Sequence, residues 1–238
     1  MISVWKRELQ SYFYTPVGYV FMGVFLTLSS VMFFLSILRQ RSSDLLAFLG
    51  QMGYLWMLLT PVLTMRLLAE ERQKRTDQLL LTSPVSLPGI VLGKYLAAVT
   101  VMLITVALTG LFAVIVAIYG RVYPAELAVG YGGFILQGCA FIAVDLFLSG
   151  CAGSPVIAAV LAFGVNFALW MLDLLANAVS VPWLASALSF FSLYERQEPF
   201  LMGQLSFASV GFDLSMAVGF LLLTIHVLDS RRYRGVGA

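Results

Sequence analysis

Three carboxylates stand in otherwise apolar sequence, Asp145, Asp173 and Asp213, and with Gln137 and Asn166 they are the groups best placed for polar chemistry in this chain. A charge at the bilayer centre costs at least about 2.5 kcal/mol on insertion scales, so a mid-span acid needs a partner, a proton or water. Asp173 and Asp213 fall near the ends of their apolar stretches and are expected at the outer interface, while Asp145 is deeper. Asp145 has two readings: part of a polar cavity or subunit seam with Gln137 and Asn166, or a protonated, hydrogen-bonded packing residue. Other chemistry finds little to work with. The lone His226 has no metal ligand beside it and reads as an interfacial or packing residue, so no metal site is expected. Cys139 and Cys151 share one apolar stretch, cannot meet across a straight helix, and read as core thiols. Gly89 to Gly93-Lys94-Tyr95 is one residue short of a phosphate-cradling loop and lacks its magnesium-binding hydroxyl, and Gly-x-Ser-x-Gly is absent. The expectation is a chain that is not an enzyme, has no catalytic residue and binds no cofactor itself.

The elements that hold these groups are membrane helices. Of 238 residues, 61% are hydrophobic and 11% charged, against roughly 25% charged in soluble domains. A net charge of +2 provides no basic face for nucleic acid. Six apolar stretches, 17–38, 53–69, 95–119, 127–151, 156–176 and 210–228, suit the helical crossing of a bilayer, which takes roughly 20 residues. Their continuity, without strand alternation, excludes a barrel. The fold class is therefore an all-α integral membrane protein with six transmembrane helices. In the fifth stretch, Ala158 with Ala162 and Gly164 with Ala168 are small pairs that permit close helix contact.

Lys6, Arg7, Arg66, Arg72, Lys74, Arg75, Lys94, Arg231, Arg232 and Arg234 fall on one side, and Arg39, Arg41, Arg121 and Arg196 on the other. The positive-inside rule then puts both termini in the cytoplasm. The first apolar run is longer than a signal-peptide core and no small-x-small cleavage site follows it, so it is expected to stay as an anchor. Within residues 1–16, Ile2, Trp5, Leu9, Tyr12 and Phe13 fall on one helical arc opposite Arg7, Glu8 and Ser11. This predicts an amphipathic helix in the cytoplasmic interface that turns into the bilayer at Pro16.

Residues 70–88 are a dense charged island between the second and third spans. Glu70, Glu71, Arg72, Lys74, Arg75 and Asp77 carry both signs, and Leu79, Leu80 and Leu81 follow directly. Strong helix formers from Ala69 to about Leu81 predict a short helix, which Pro84 and Pro88 oppose continuing. A solvated loop has no need of three consecutive leucines, but a helix pressed into a partner's groove has. The alternative is a positive-inside loop whose leucines rest on the membrane. Residues 177–209 are apolar yet interrupted by Pro182, Glu195, Arg196, Glu198, Pro199 and Gly203, and suit a re-entrant hairpin of half-helices dipping into the outer leaflet. Their aromatic residues, Trp183, Phe190, Phe191, Tyr194 and Phe200, also read as an ordinary interfacial belt.

Ala-Glu-Glu-Arg at Ala69 to Arg72, Thr-Asp-Gln-Leu-Leu-Leu-Thr-Ser-Pro-Val at Thr76 to Val85, and Gly93-Lys94 together resemble the loop of permease subunits of ABC transporters of the second exporter type. Within that superfamily the likeness is to the gliding-motility permeases. It extends to chain length, the N-terminal helix, the six spans, Leu188 to Ser192, Gly203 and Arg231-Arg232. Many members have Gly-Thr with Glu two residues after the Thr, where this chain has Arg75-Thr76 and Gln78.

The resemblance implies a cytoplasmic coupling helix seated in a cleft of a separate ATPase subunit, present in two copies, which holds ATP and magnesium. Glu70, Glu71, Arg72, Lys74, Arg75 and Asp77 would set charge and register and Leu79 and Leu80 would anchor, with Thr76 and Pro84 in the same docking segment. It also implies a second permease as a homodimer or heterodimer partner, contact with lipid, an accessory subunit, and a bacterial inner membrane. Trp183, Phe190, Phe191, Tyr194 and Phe200 would close an outer gate and meet lipid. ATP-driven closure would then reorient the bundle to export an envelope-related substrate. Two other functions compete. A secondary transporter or channel would show inverted repeats or broken helices with ion ligands, and the two halves show no convincing match. A membrane scaffold would recruit a soluble partner through the same loop without transport.

Overall fold

The computed structural model describes residues 1–75, 86–178 and 192–234, which are helices and short connections, with no strand among them. The first helix, α1 (Ile2–Tyr14), ends at an extended Thr15, and α2 (Pro16–Phe33) starts on a proline whose missing N–H is no loss at a helix start. The same device opens α5 (Leu87–Tyr119), which has Pro88 in its first turn, α6 (Pro124–Cys151) and α7 (Pro155–Ala178). A π-helical turn, Phe34–Leu38, prolongs α2. Before α5 come α3 (Leu45–Thr64) and, after Met65, α4 (Arg66–Gln73). The chain continues with α8 (Leu193–Leu201) and α9 (Phe207–Arg234). Six helices are long and apolar enough to cross a bilayer: α2 with its π turn, α3 with α4, α5, α6, α7 and α9. The chain is a multi-pass membrane protein.

Two spans begin about two turns before the apolar runs suggest. The second starts at Leu45 rather than 53 because Asp44 caps it, its Oδ1 accepting from the Ala47 N–H at 3.0 Å. The third starts at Leu87 rather than 95 because Pro88 falls where a helix tolerates it. Of the helix expected from Ala69 to Leu81, the described part starts at Arg66 and runs to Gln73, and residues 76–81 lie outside the described residues. Arg75 is in the left-handed region, with φ of 54°, which a continuing α-helix cannot contain.

The bundle is built around α6, the most buried span, which packs against α3, α4, α5, α7, α8 and α9. In lipid there is no hydrophobic drive between helices, so close side-chain packing holds them. Trp56 supplies much of it, standing edge-on to Phe21, Phe25 and Phe134 at 5.6, 5.3 and 5.9 Å between centroids. Phe33, Phe48 and Phe112 form a second such cluster.

The amphipathic arc of α1 docks on this bundle. Trp5 Nε1 donates to Thr100 Oγ1 at 3.1 Å, and Tyr12 Oη donates to the Leu63 carbonyl at 2.6 Å. Burial pushes the Tyr12 phenol far above its usual range, with Glu8 adding to the effect, so it acts only as a neutral hydrogen-bond donor. Gly93 lets α1 and α5 touch, since a Cβ there would lie 3.0 Å from Val4. Ile2 stays exposed.

Candidate functional site

Charge gathers where α4 meets α1, α5 and the end of α6. Lys94, in the second turn of α5, is only 1% exposed. Its Nζ donates to the Leu67 carbonyl at 2.6 Å, Glu71 Oε1 at 2.8 Å and Glu8 Oε1 at 3.1 Å. An ammonium has three protons, and giving each an acceptor is what permits its burial. Arg7 reaches the same carboxylates, Glu8 at 2.9 Å and Glu71 at 3.5 Å. Glu70 binds different cations, Arg66 Nη2 at 3.0 Å and Lys74 Nζ at 2.7 Å.

Two further contacts fasten α4 to α6. Arg72 Nη1 donates to the carbonyls of Cys151 and Ala152, both at 2.9 Å, where helical carbonyls lack partners and the dipole favours a cation. Buried Ser149 bridges the break at Met65. Its Oγ accepts from the N–H groups of Leu68 and Ala69 at 3.3 and 3.2 Å, and donates to the Met65 carbonyl at 3.1 Å.

Of the residues expected to dock a partner, Glu71 and Arg72 thus make contacts that fix α4, and Glu70 pairs within it. Lys74 and Arg75 are exposed at its end. Thr76, Asp77, Leu79, Leu80 and Pro84 lie outside the described residues.

The expected intramembrane seam divides. Asp145 and Asn166 are fully buried and meet, Asn166 Nδ2 donating to Asp145 Oδ2 at 3.4 Å. Pro61, inside α3, has no N–H for the Met57 carbonyl. Asn166 Nδ2 supplies that donor from α7 at 3.4 Å, and lies 3.5 Å from Thr60 Oγ1. Gln137 is not among them; it lies two turns away along α6, roughly 12 Å, beside Tyr194 and α8. Asp213 is buried, 3% exposed. Neighbouring α8 packs against α9 here, with the Arg196 guanidinium 5.2 Å from the Phe212 ring centroid. The side chain of Asp173 lies outside the description.

At this same end Tyr194 stacks on Tyr54, with centroids 5.1 Å apart. Phe200 is 1% exposed and does not meet lipid. Its ring fills a notch at Gly133, where a Cβ would come within 2.4 Å of Phe200 Cγ. Trp183, Phe190 and Phe191 lie outside the described residues. Cys151 is exposed at the end of α6, not in the core, and Cys139 is partly buried. Among the described residues, no three His, Cys, Asp or Glu side chains converge as metal ligands.

Sequence reasoning missed Lys94, Glu8 and Ser149 as partners of α4. It also missed Ser192 as the cap of α8, whose Oγ accepts from the Glu195 N–H at 3.2 Å. That cap was readable as Ser-x-x-Glu, and Pro61 within a span announced an unpaired carbonyl. Nothing local announced Ser149.

The family model described as ABC-2 family transporter protein matches residues 24–228 of the chain. No curated protein matches it.

Proposed function

This chain belongs to the ABC-2 family of transporter proteins, and from that premise we propose that it is the permease subunit of an ATP-driven exporter, coupled through the segment after α4 to a separate ATPase. The observation that carries the reading is the mounting of α4. Its last turn ends at exposed Lys74 and Arg75, while Glu71, Arg72 and the Leu68 and Ala69 amides tie it to α1, α5 and α6. Force applied at Lys74 and Arg75 therefore reaches the central helix of the bundle through these contacts.

The rest of the proposal follows the family. Two ATPase copies hold ATP and magnesium, and a second permease packs on α7. Gly164 and Ala168 point outward there, and a Cβ on Gly164 would meet nothing within 4 Å. The termini face the cytoplasm of a bacterial inner membrane, and the cargo is an envelope component. The gliding-motility group is the subgroup proposed, on the loop residues from Ala69 to Val85.

The test is affinity purification from native membranes in mild detergent, comparing the unaltered chain with a Lys74→Glu, Arg75→Glu variant. These positions are exposed, so the fold survives, whereas reversing Glu71 would tear the Lys94 cluster apart. A co-purifying ATPase that hydrolyses ATP in the complex, and is lost with the variant, is the expected result. An intact bundle that recovers no ATPase in either form would sink the exporter reading in favour of an ATP-independent transporter or scaffold.

A further inference from the structure

Two buried oxygens lack a donor at the contact between α6 and α7. Asn166 Nδ2 donates to Asp145 Oδ2, but the other oxygen of each side chain, Asp145 Oδ1 and Asn166 Oδ1, has no hydrogen-bond partner. Turning the amide round would not mend this, because its nitrogen also faces the Met57 carbonyl, which needs a donor. Fully buried Thr60 does not supply one either, since its single proton goes to the Trp56 carbonyl of its own helix at 3.0 Å. Buried polar side-chain atoms are ordinarily paired, so two orphaned acceptors on one pair of side chains mark a missing hydrogen. No cation answers Asp145 among the described residues. Facing it, α3 has no charged side chain from Leu45 to Thr64. On α4 and α5, Arg66 is held by Glu70, Arg72 by the end of α6, and Lys94 by its three acceptors. On α8, Arg196 lies over Phe212. The ionisable residues nearest along α7 and α9 are Asp173, and Asp213 and His226.

We propose that Asp145 and Asn166 form a proton-binding site, in which Asp145 is a neutral carboxylic acid whose O–H donates to Asn166 Oδ1. One proton then pairs both orphans, because acid and amide each give one hydrogen bond and take one across the seam. A neutral acid also avoids the cost of an unpaired carboxylate inside a membrane span. Opening the α6–α7 contact would let water reach the acid, which then ionises and passes its proton to that water. Closing the seam therefore takes up one proton, and acidity favours the closed form. The proton locks α3 as well, since the Asn166 amide it holds is the one that serves the Met57 carbonyl. The site needs neither ATP nor a partner subunit, so it stands or falls independently of the exporter reading.

The experiment is infrared spectroscopy of the full chain in lipid nanodiscs at neutral pH, with isotope-labelled aspartate to identify side-chain carboxyl bands. The unaltered chain should show the carbonyl stretch of a protonated aspartic acid, which Asp145→Asn removes and Asp213→Asn keeps. Asp145→Asn is the diagnostic variant because an amide reproduces the one-donor, one-acceptor pattern of the neutral acid and not the two acceptors of a carboxylate. It should therefore fold and melt at least as high as the parent. Only the folded chain keeps this proton above the range of an exposed carboxyl, so raising the pH from acid to neutral should lower the parent's melting temperature more than the variant's. The proposal is overturned if the labelled chain shows no acid band, if the band survives Asp145→Asn, if that variant fails to fold, or if the two chains respond to pH alike.

Discussion

Lys94 is the most consequential single residue at the α4 end, because one buried ammonium serves a backbone carbonyl and two carboxylates from different helices. Lys94→Met would take the buried cation from all three, with Arg7 still reaching Glu8 and Glu71. Hydrogen bonds to charged groups are worth roughly 1.5–3 kcal/mol, so a loss of about 2–4 kcal/mol is expected once the partners' partial exposure is counted. Glu70→Gln, which loosens only partly solvated pairs, should cost under about 1 kcal/mol. Denaturant titration of the detergent-solubilised chain separates the two, and equal losses would contradict the ranking. Ser149→Ala, which removes the hydroxyl bridging Met65 to Leu68 and Ala69, should cost about 1–3 kcal/mol in the same assay. The Gly93-Lys94 pair could be seen in the sequence, but its role could not, since Glu8 lies 86 positions away and only the packing of α1 on α5 brings it close.

Among elements, α8 depends most on its seat. Phe200 sits in the Gly133 notch, and Leu201 at the end of α8 closes over Gly50 on α3, where a Cβ would lie 2.9 Å from its Cδ1. Gly133→Ala should therefore push α8 outward at a cost of roughly 1–3 kcal/mol, the usual range for overpacking. Adding Phe200→Leu should recover most of it; a Gly133→Ala chain that melts like the parent would refute the notch. Gly203, with φ of 72° and lying against Glu126, lets the chain turn after α8. The existence of the long helices could be read from hydropathy alone, because a run of apolar residues is sufficient for that inference. Their starts could not, because Asp44 and Pro88 act through cap and first-turn chemistry that hydropathy ignores.

For the molecule as a whole, the six crossings were legible in the sequence, and so was the charged segment at one end of the bundle. The internal use of that charge was not, because the same Glu and Arg types serve a partner's cleft or a neighbouring helix equally well. Cys151, exposed at the end of α6, offers a test of the proposed sidedness. In a Cys139→Ser background, a membrane-impermeant maleimide should label Cys151 in inside-out vesicles and spare it in intact spheroplasts. A Cys151→Ser chain carrying Gln204→Cys should behave oppositely, and the reverse pattern would invert the assignment. A different consequence follows from Asn166 reaching across to the carbonyl that Pro61 leaves unpaired. The two positions lie on separate helices, yet each explains the other's presence, so they should not drift independently through descent. Lineages that exchange the proline for an ordinary residue should relax the asparagine to an apolar one only where Asp145 is replaced as well, and lineages that keep the proline should hold an amide or hydroxyl opposite it.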